Sequence, residues 1–308
     1  MKRKLTFAAS VVCVLAVICT VVAFNNNIGI KVRPLDIPGS GDHSDFDNTN
    51  FKIKHNIKFD ETADIYKFKK LEADSNFVKK LAKQFNISVN NKIDDSGDNF
   101  FIEDNNGCIR VEKGTCMWSY NKKQIEGSSD NIIISNDDKV IEIAKKELNK
   151  YKIDISSFCK PIVTNQTETK AGETDSKIIA KDIYFYKSFN GKPVLGTSRI
   201  IVTIGNNDEV LTISKYYREV EETGYKVKLK KKDDMVKEIK SNKTLAQYGG
   251  EGEIPENIEI TSAELCYWED SSNDFLQPVY VMKGNDTNNV SDNFSVYIPA
   301  VEEGQTVK

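Results

Sequence analysis

The chain has 308 residues, 39% of them hydrophobic, which is enough apolar material for two ordinary domains or one elongated one and too much for a disordered protein. Lysine and arginine number 43 against 46 aspartate and glutamate, so the net charge of −3 gives no electrostatic drive toward nucleic acid. With only two histidines, His43 and His55, and no His-Glu-x-x-His, the usual nucleophile-base pairs and zinc-hydrolase motif have almost no raw material.

Met-Lys-Arg-Lys opens the chain, and an uncharged apolar run follows from Leu5 to Phe24, about twenty residues, the length that crosses a bilayer as a helix. The basic residues stay cytoplasmic by the positive-inside tendency, which places everything after Phe24 outside the cytoplasm. Residues 1–24 therefore read as a single-pass anchor in the cell membrane. Val21-Val22-Ala23 is also an acceptable cleavage pattern, so a removed signal peptide and a secreted product are the alternative. Residues 25–56, rich in Asn, Asp, Gly and Pro, read as a flexible tether. Asp42, Asp45 and Asp47 within it lack the glycine and terminal glutamate of a calcium loop.

Residues 57–135 read as a first α+β unit. An extended segment from Ile57 to Lys69 precedes a helix from Ser75 to Phe85, capped by Asp74 or Ser75, with Phe77, Val78, Leu81, Ala82 and Phe85 as its apolar stripe. Strands follow at 99–103, 108–112 and 115–120, separated by Asn105-Asn106-Gly107 and Lys113-Gly114. Cys108 and Cys116 flank the second turn. A cross-strand disulfide and a pair of half-buried hydrophobes are both open there.

Residues 136–225 repeat the order. Asn136, Asp137 and Asp138 cap a helix to Tyr151, with Val140, Ile143, Ala144 and Leu148 at helical spacing. Strands are expected around Cys159–Val163 and in a three-stranded meander over 182–222, split by a polar loop at 165–175. In the meander Ser198, Ile200, Val202 and Ile204 alternate with Thr197, Arg199 and Thr203, while Asn190-Gly191 and Gly205-Asn206-Asn207-Asp208 supply turns. Residues 226–308 form a third pass: a lysine-rich entry at 226–232, a helix from Asp233 to Lys243, then strands at 258–268, 277–283 and 294–301. The fold class is α+β, antiparallel sheets each covered on one face by a helix.

The second and third passes resemble the PepSY-like family and the related extracytoplasmic proteins YycH and YycI. The resemblance is carried by the helix from Lys139 to Leu148, the turn Asn190-Gly-Lys-Pro-Val-Leu-Gly196, the segment Gly205-Asn-Asn-Asp-Glu-Val210, and Leu276-Gln-Pro-Val-Tyr280 with Tyr297-Ile-Pro-Ala-Val301. It implies an outward-facing protein that acts by binding, restraining either an exported peptidase or a membrane sensor kinase.

No catalytic, metal or cofactor site is expected. Gly249-Gly250-Glu251-Gly252 lacks the Lys-Ser/Thr of a phosphate loop, and Glu221, Glu222, Glu269 and Asp270 read as solvated surface. Tyr184, Tyr186, Phe189, Tyr216 and Tyr217 form the candidate partner-binding surface, with core packing as the plainer account of the same rings. Tyr267, Trp268 and Tyr280 form a second aromatic group. The function expected is that of a membrane-anchored, non-enzymatic regulatory protein that binds another membrane or exported protein. The alternatives are a PepSY-like peptidase inhibitor, a wall-glycan-binding module and a carboxylate-based hydrolase.

Overall fold

Strand-forming runs and three short amphipathic helices make the chain α+β, as described in a computed structural model covering residues 31–36, 46, 48–123, 132–169, 176–248, 255–288 and 293–305. The apolar segment at 1–24 and the glycines at 249–252 lie outside the described residues. Among the described residues no helix is long and apolar enough to cross a membrane.

The chain forms two compact units, one from Met1–Lys67 with Glu221–Lys308, the other from Phe68–Val220. We call them the flanking and the central unit. Strands β1 (Asn50–Ile53) and β2 (Thr62–Phe68) begin the flanking unit. The central unit then runs α1 (Ser75–Gln84), β3 (Asp94–Ser96), β4 (Asn99–Glu103), β5 (Gly107–Glu112) and β6 (Trp118–Lys122). It continues with α2 (Asp137–Lys150), β7 (Ile162–Glu168), β8 (Lys177–Tyr186), the short strands β9 (Ser188–Phe189) and β10 (Lys192–Gly196), β11 (Arg199–Ile204) and β12 (Val210–Tyr216). The flanking unit is completed by β13 (Val220–Lys228), α3 (Lys232–Lys240), β14 (Ala246–Tyr248), β15 (Asn257–Glu269), β16 (Phe275–Asp286) and β17 (Asn293–Pro299).

Three consecutive units at 57–135, 136–225 and 226–308 are thus not what the structure shows. The first two passes merge into one antiparallel sheet of eight strands, ordered β3-β4-β5-β6-β12-β11-β8-β7. The order is palindromic: each pass supplies a helix and four strands, and the last strands pair, with Ser119 opposite Ser214 and Trp118 opposite Lys215. In the third pass β14 instead pairs with β17, and β17, β16 and β15 follow as neighbours.

The three α-helices among the described residues begin and end by the same chemistry or a variant of it. Asp74 accepts the Phe77 N–H at 2.8 Å, Asn136 accepts that of Lys139 at 3.0 Å, and α3 substitutes Asp233 and Asp234 in its first turn for a side-chain cap. Each then stops on a residue with positive φ, Asn86, Lys152 or Asn242. The next N–H turns back to the third-last helical carbonyl: Ile87 to Ala82 at 2.8 Å, Ile153 to Leu148 at 2.9 Å, Lys243 to Glu238 at 2.9 Å. This is the Schellman closure, which satisfies carbonyls the helix leaves open.

In the central unit the buried helix faces, Val78, Leu81 and Ala82 on α1 and Val140, Ala144 and Leu148 on α2, join one core with Ile109, Val111, Ile183, Phe185, Ile200, Val202 and Ile213. Ser198, Ile200, Val202 and Ile204 are buried as the alternation expects, and Thr203 on the other face is buried too. Asn190 and Gly191 both have positive φ, as a tight hairpin turn between β9 and β10 requires.

Several expectations are overturned. Val32, Leu35 and Phe46, placed in the tether, are buried, and Val32 and Phe46 belong to the flanking core, while β1 pairs parallel to β15 through Asn50–Ile53. Large apolar side chains and a ladder partner override a loop-like composition. Residues 165–168, expected to be loop, are strand, paired with 177–181. The lysine-rich entry begins on the last three residues of β13, 226–228, and ends on the first of α3, and Lys230 between them is buried, its Nζ 2.7 Å from Glu238 on α3. Cys108 and Cys116 are both free. Cys108 stands opposite Asn121 near the far end of the β5–β6 hairpin, whereas Cys116 lies in its turn. At about 3.3 Å per residue the four positions from 108 to 112 separate them by roughly 13 Å, beyond the reach of a disulfide.

Because Leu148 is fully buried between helix and sheet, Leu148→Ala is expected to cost about 2–5 kcal/mol. The chain has two tryptophans, Trp118 in the central unit and Trp268 in the flanking unit. Urea unfolding followed by Trp118 fluorescence in a Trp268→Phe background measures the loss directly. A midpoint unchanged by the alanine would contradict the packing described.

Candidate functional site

With α1 and α2 packed on one side of the eight-stranded sheet, alternation sends the remaining side chains to the other. Arg199 on β11 lies opposite both Tyr186 on β8 and Tyr216 on β12, and Ile201 opposite Tyr184, which itself faces Ile162 on β7. Tyr184 and Tyr186 stack at 6.2 Å between centroids, and the Arg199 guanidinium carbon sits 5.7 Å from the Tyr184 ring centre. Arg199 also donates to the Gly196 carbonyl at 3.0 Å.

One polar rung lies beside this aromatic one. Asp182 accepts from Gln166 at 2.8 Å and from Thr203 at 2.7 Å, and Thr212 donates to Thr203 at 2.7 Å, so hydrogen bonds cross four strands. Ile162 and Tyr216 keep substantial exposure, at 54% and 37%.

The two edges of this sheet differ. Strand β3 has three residues, Asp94-Asp95-Ser96, and its paired carboxylates discourage another strand from docking. Strand β7 has seven residues, Ile162-Val-Thr-Asn-Gln-Thr-Glu168, almost all exposed, with no lysine, arginine or proline. A register shift between Gln166 and Thr167 leaves Ile162–Gln166 as its regular stretch.

The expected aromatic surface is therefore divided. Tyr184, Tyr186 and Tyr216 share the open face. Phe189 belongs to the β9–β10 hairpin, its ring 5.3 Å from the Lys187 ammonium. Tyr217, 7% exposed, lies in a cleft of about 460 Å³ bordered by Trp118, Tyr151 and Phe158. Because β8 and β12 are interior strands, their backbones are already paired, and β7 is the strand that offers unpaired backbone groups. Tyr267 and Tyr280 are core residues: Tyr267 donates to the Asp64 carbonyl at 3.0 Å, and burial pushes the Tyr280 phenol up to about 12.

Two ammoniums flank the Tyr217 ring, Lys215 at 4.2 Å and Lys187 at 4.4 Å from its centre. Both pair with Glu219, Lys215 to Oε1 at 3.2 Å and Lys187 to Oε2 at 3.5 Å. Burial, reinforced by the charges of Glu219 and Asp154, holds the Tyr217 phenol well above its usual range. Burial alone would raise the Glu219 carboxyl as well, but Lys215 and Lys187 together outweigh it and hold that group below the usual carboxylate range. A neutral phenol and a fixed carboxylate do not exchange protons near neutral pH. Sequence reasoning missed this group, although Lys215, Tyr217 and Glu219 recur at every second position; it also ended the strand around Cys159–Val163 too early and missed its continuation to Glu168, whose signal was the β-branched residues Thr164 and Thr167.

The chain matches no protein-family model and no curated protein sequence. Among solved structures it is similar to the C-terminal domain of Bacillus megaterium YpeB, with 13% identity over 75% of this chain and 94% of that one and a TM-score of 0.33. A likeness of that size carries no argument about function.

The depressed Glu219 carboxyl contributes stability that is complete above its unfolded value, about 4.3, and lost as pH falls through the lower folded one. Glu219→Gln is expected to remove that component, giving a shallower acid limb when urea midpoints are plotted against pH. Identical limbs would show that the pairing with Lys187 and Lys215 does not contribute.

Proposed function

We propose that this chain is a non-enzymatic binding protein whose central unit takes up an extended segment of a partner along β7. The observation that carries the reading is the edge itself. Among the described residues its seven residues, six of them exposed, pair on one side only, with no lysine, arginine or proline to guard them and a single charge, Glu168, at the far end. An added strand would gain backbone hydrogen bonds from β7, while Ile162 and Tyr184 lie beside it to receive alternate side chains. The ion pairs around Tyr217 fit this reading, since each oxygen of Glu219 is taken by an ammonium.

The basic-then-apolar start supports an extracytoplasmic setting for this association, with residues 5–24 as the membrane anchor. The partner is then another membrane or exported protein, and the sensor kinase and exported peptidase implied by the PepSY-like and YycH- and YycI-like resemblance are the two kinds to look for. Photo-crosslinking residues placed at Thr164 and Thr167 in the native membrane are expected to capture one protein partner. The same residue at Lys79, exposed on α1, is expected to capture little. Equal yields from both surfaces, or recovery of wall glycan alone, would reject association through β7.

A further inference from the structure

The cleft beside Tyr217 is cationic and aromatic at once. Lys80, Lys152, Lys187 and Lys215 line it against two carboxylates, Asp154 and Glu219. Asp154 is engaged locally, accepting the Ser156 N–H at 2.9 Å. Lys187 and Lys215 are held in place: their side chains are 11% and 15% exposed, and both lie over the Tyr217 ring. Glu219 is the more open member, 36% exposed. Each of its oxygens meets a different ammonium, so the two lysines already present a fork spaced for one carboxylate.

We propose that this cleft binds a carboxylate-bearing peptide segment and that Glu219 occupies, in the protein alone, the place an incoming carboxylate takes. The arithmetic of charge favours it, since four ammoniums face two carboxylates, one of them committed to its own turn. The aromatic wall favours a peptide over a bare ion, because Trp118 and Phe158 can cover the methylenes of a glutamate or a neighbouring apolar side chain. The two-point fork matches a planar carboxylate, whose two oxygens can each take one ammonium. The site uses none of the residues of β7, so it stands or falls apart from the proposal of strand addition.

The test is fluorescence anisotropy of a labelled octapeptide of alternating glutamate and leucine, titrated with the full chain in mild detergent. Saturable binding is expected, weakened by salt. Lys215→Gln is expected to weaken it about tenfold, on the scale of a lost charge-assisted hydrogen bond. The double change K80Q/K152Q alters only exposed side chains and is expected to weaken binding a few-fold with folding intact, which keeps the test decisive should K215Q fold poorly. E219Q removes the internal competitor and is expected to tighten binding, a result that a purely structural ion pair would not produce. The proposal is overturned by equal affinity for the matching lysine-leucine peptide, by no saturable binding, or by K80Q/K152Q and E219Q both binding like the parent chain. Displacement of the peptide by inorganic phosphate at lower concentration than by free glutamate would overturn the carboxylate assignment.

Discussion

The central unit depends on the pairing of β6 with β12. Each half, a helix on four strands, would by itself leave its last strand unpaired and one side of its core open, and a small sheet with such an edge is marginal in water. Joining the last strands removes both problems at one seam. Beneath it the residues that end the two helices meet: Phe85 packs on Tyr151 at 4.3 Å, on Tyr120 at 4.5 Å and on Trp118 at 5.3 Å, while the Gln84 side-chain amide donates to the Tyr151 carbonyl. Aromatic pairs of this kind contribute about 0.5–1.5 kcal/mol each beyond the area they bury.

That seam also decides where the surfaces of interest lie. It makes β3 and β7 the two edges, one short and acidic, the other long and uncharged up to its last residue, Glu168. It also places the end of β12 beside Trp118, so that Lys215, and Tyr217 and Glu219 just beyond the strand, emerge against the aromatic seam. A lysine over a tyrosine ring is stabilised by the ring face, and the paired glutamate offsets the cost of partly removing two ammoniums from water. The same packing that closes the core therefore fixes two cations at the rim of a cleft.

The flanking unit solves its core differently. Its long β15–β16 ladder carries β17 and β1, and its core takes Val32 and Phe46 from the beginning of the described chain together with Met235 and Ile239 from α3. Phe46, Phe51 and Phe294 form a triangle of rings 5.4 to 6.0 Å apart. Residues far apart in sequence are needed to complete it, which is why Val32 and Phe46 have defined places although the composition around them is loop-like.

The sequence by itself determined what is local. Helix starts were readable from Asp74 and Asn136, helix faces from the spacing of Val140, Ala144 and Leu148, the hairpin from Asn190-Gly191, and the α+β class from the recurring helix-then-strands order. These follow from side chains within a few residues of one another, where capping, periodicity and turn chemistry act. Only the tertiary structure decided that two passes share one sheet, that Tyr217 departs from Tyr184, Tyr186 and Tyr216, that Lys230 is buried against Glu238, and that β7 is an edge. Each is a matter of which strand pairs with which, and period-two alternation says which residues share a face without saying which strand comes next. Cys108 and Cys116 show the limit in one hairpin: their spacing allowed a bridge, and the register, Cys108 against Asn121, excludes it.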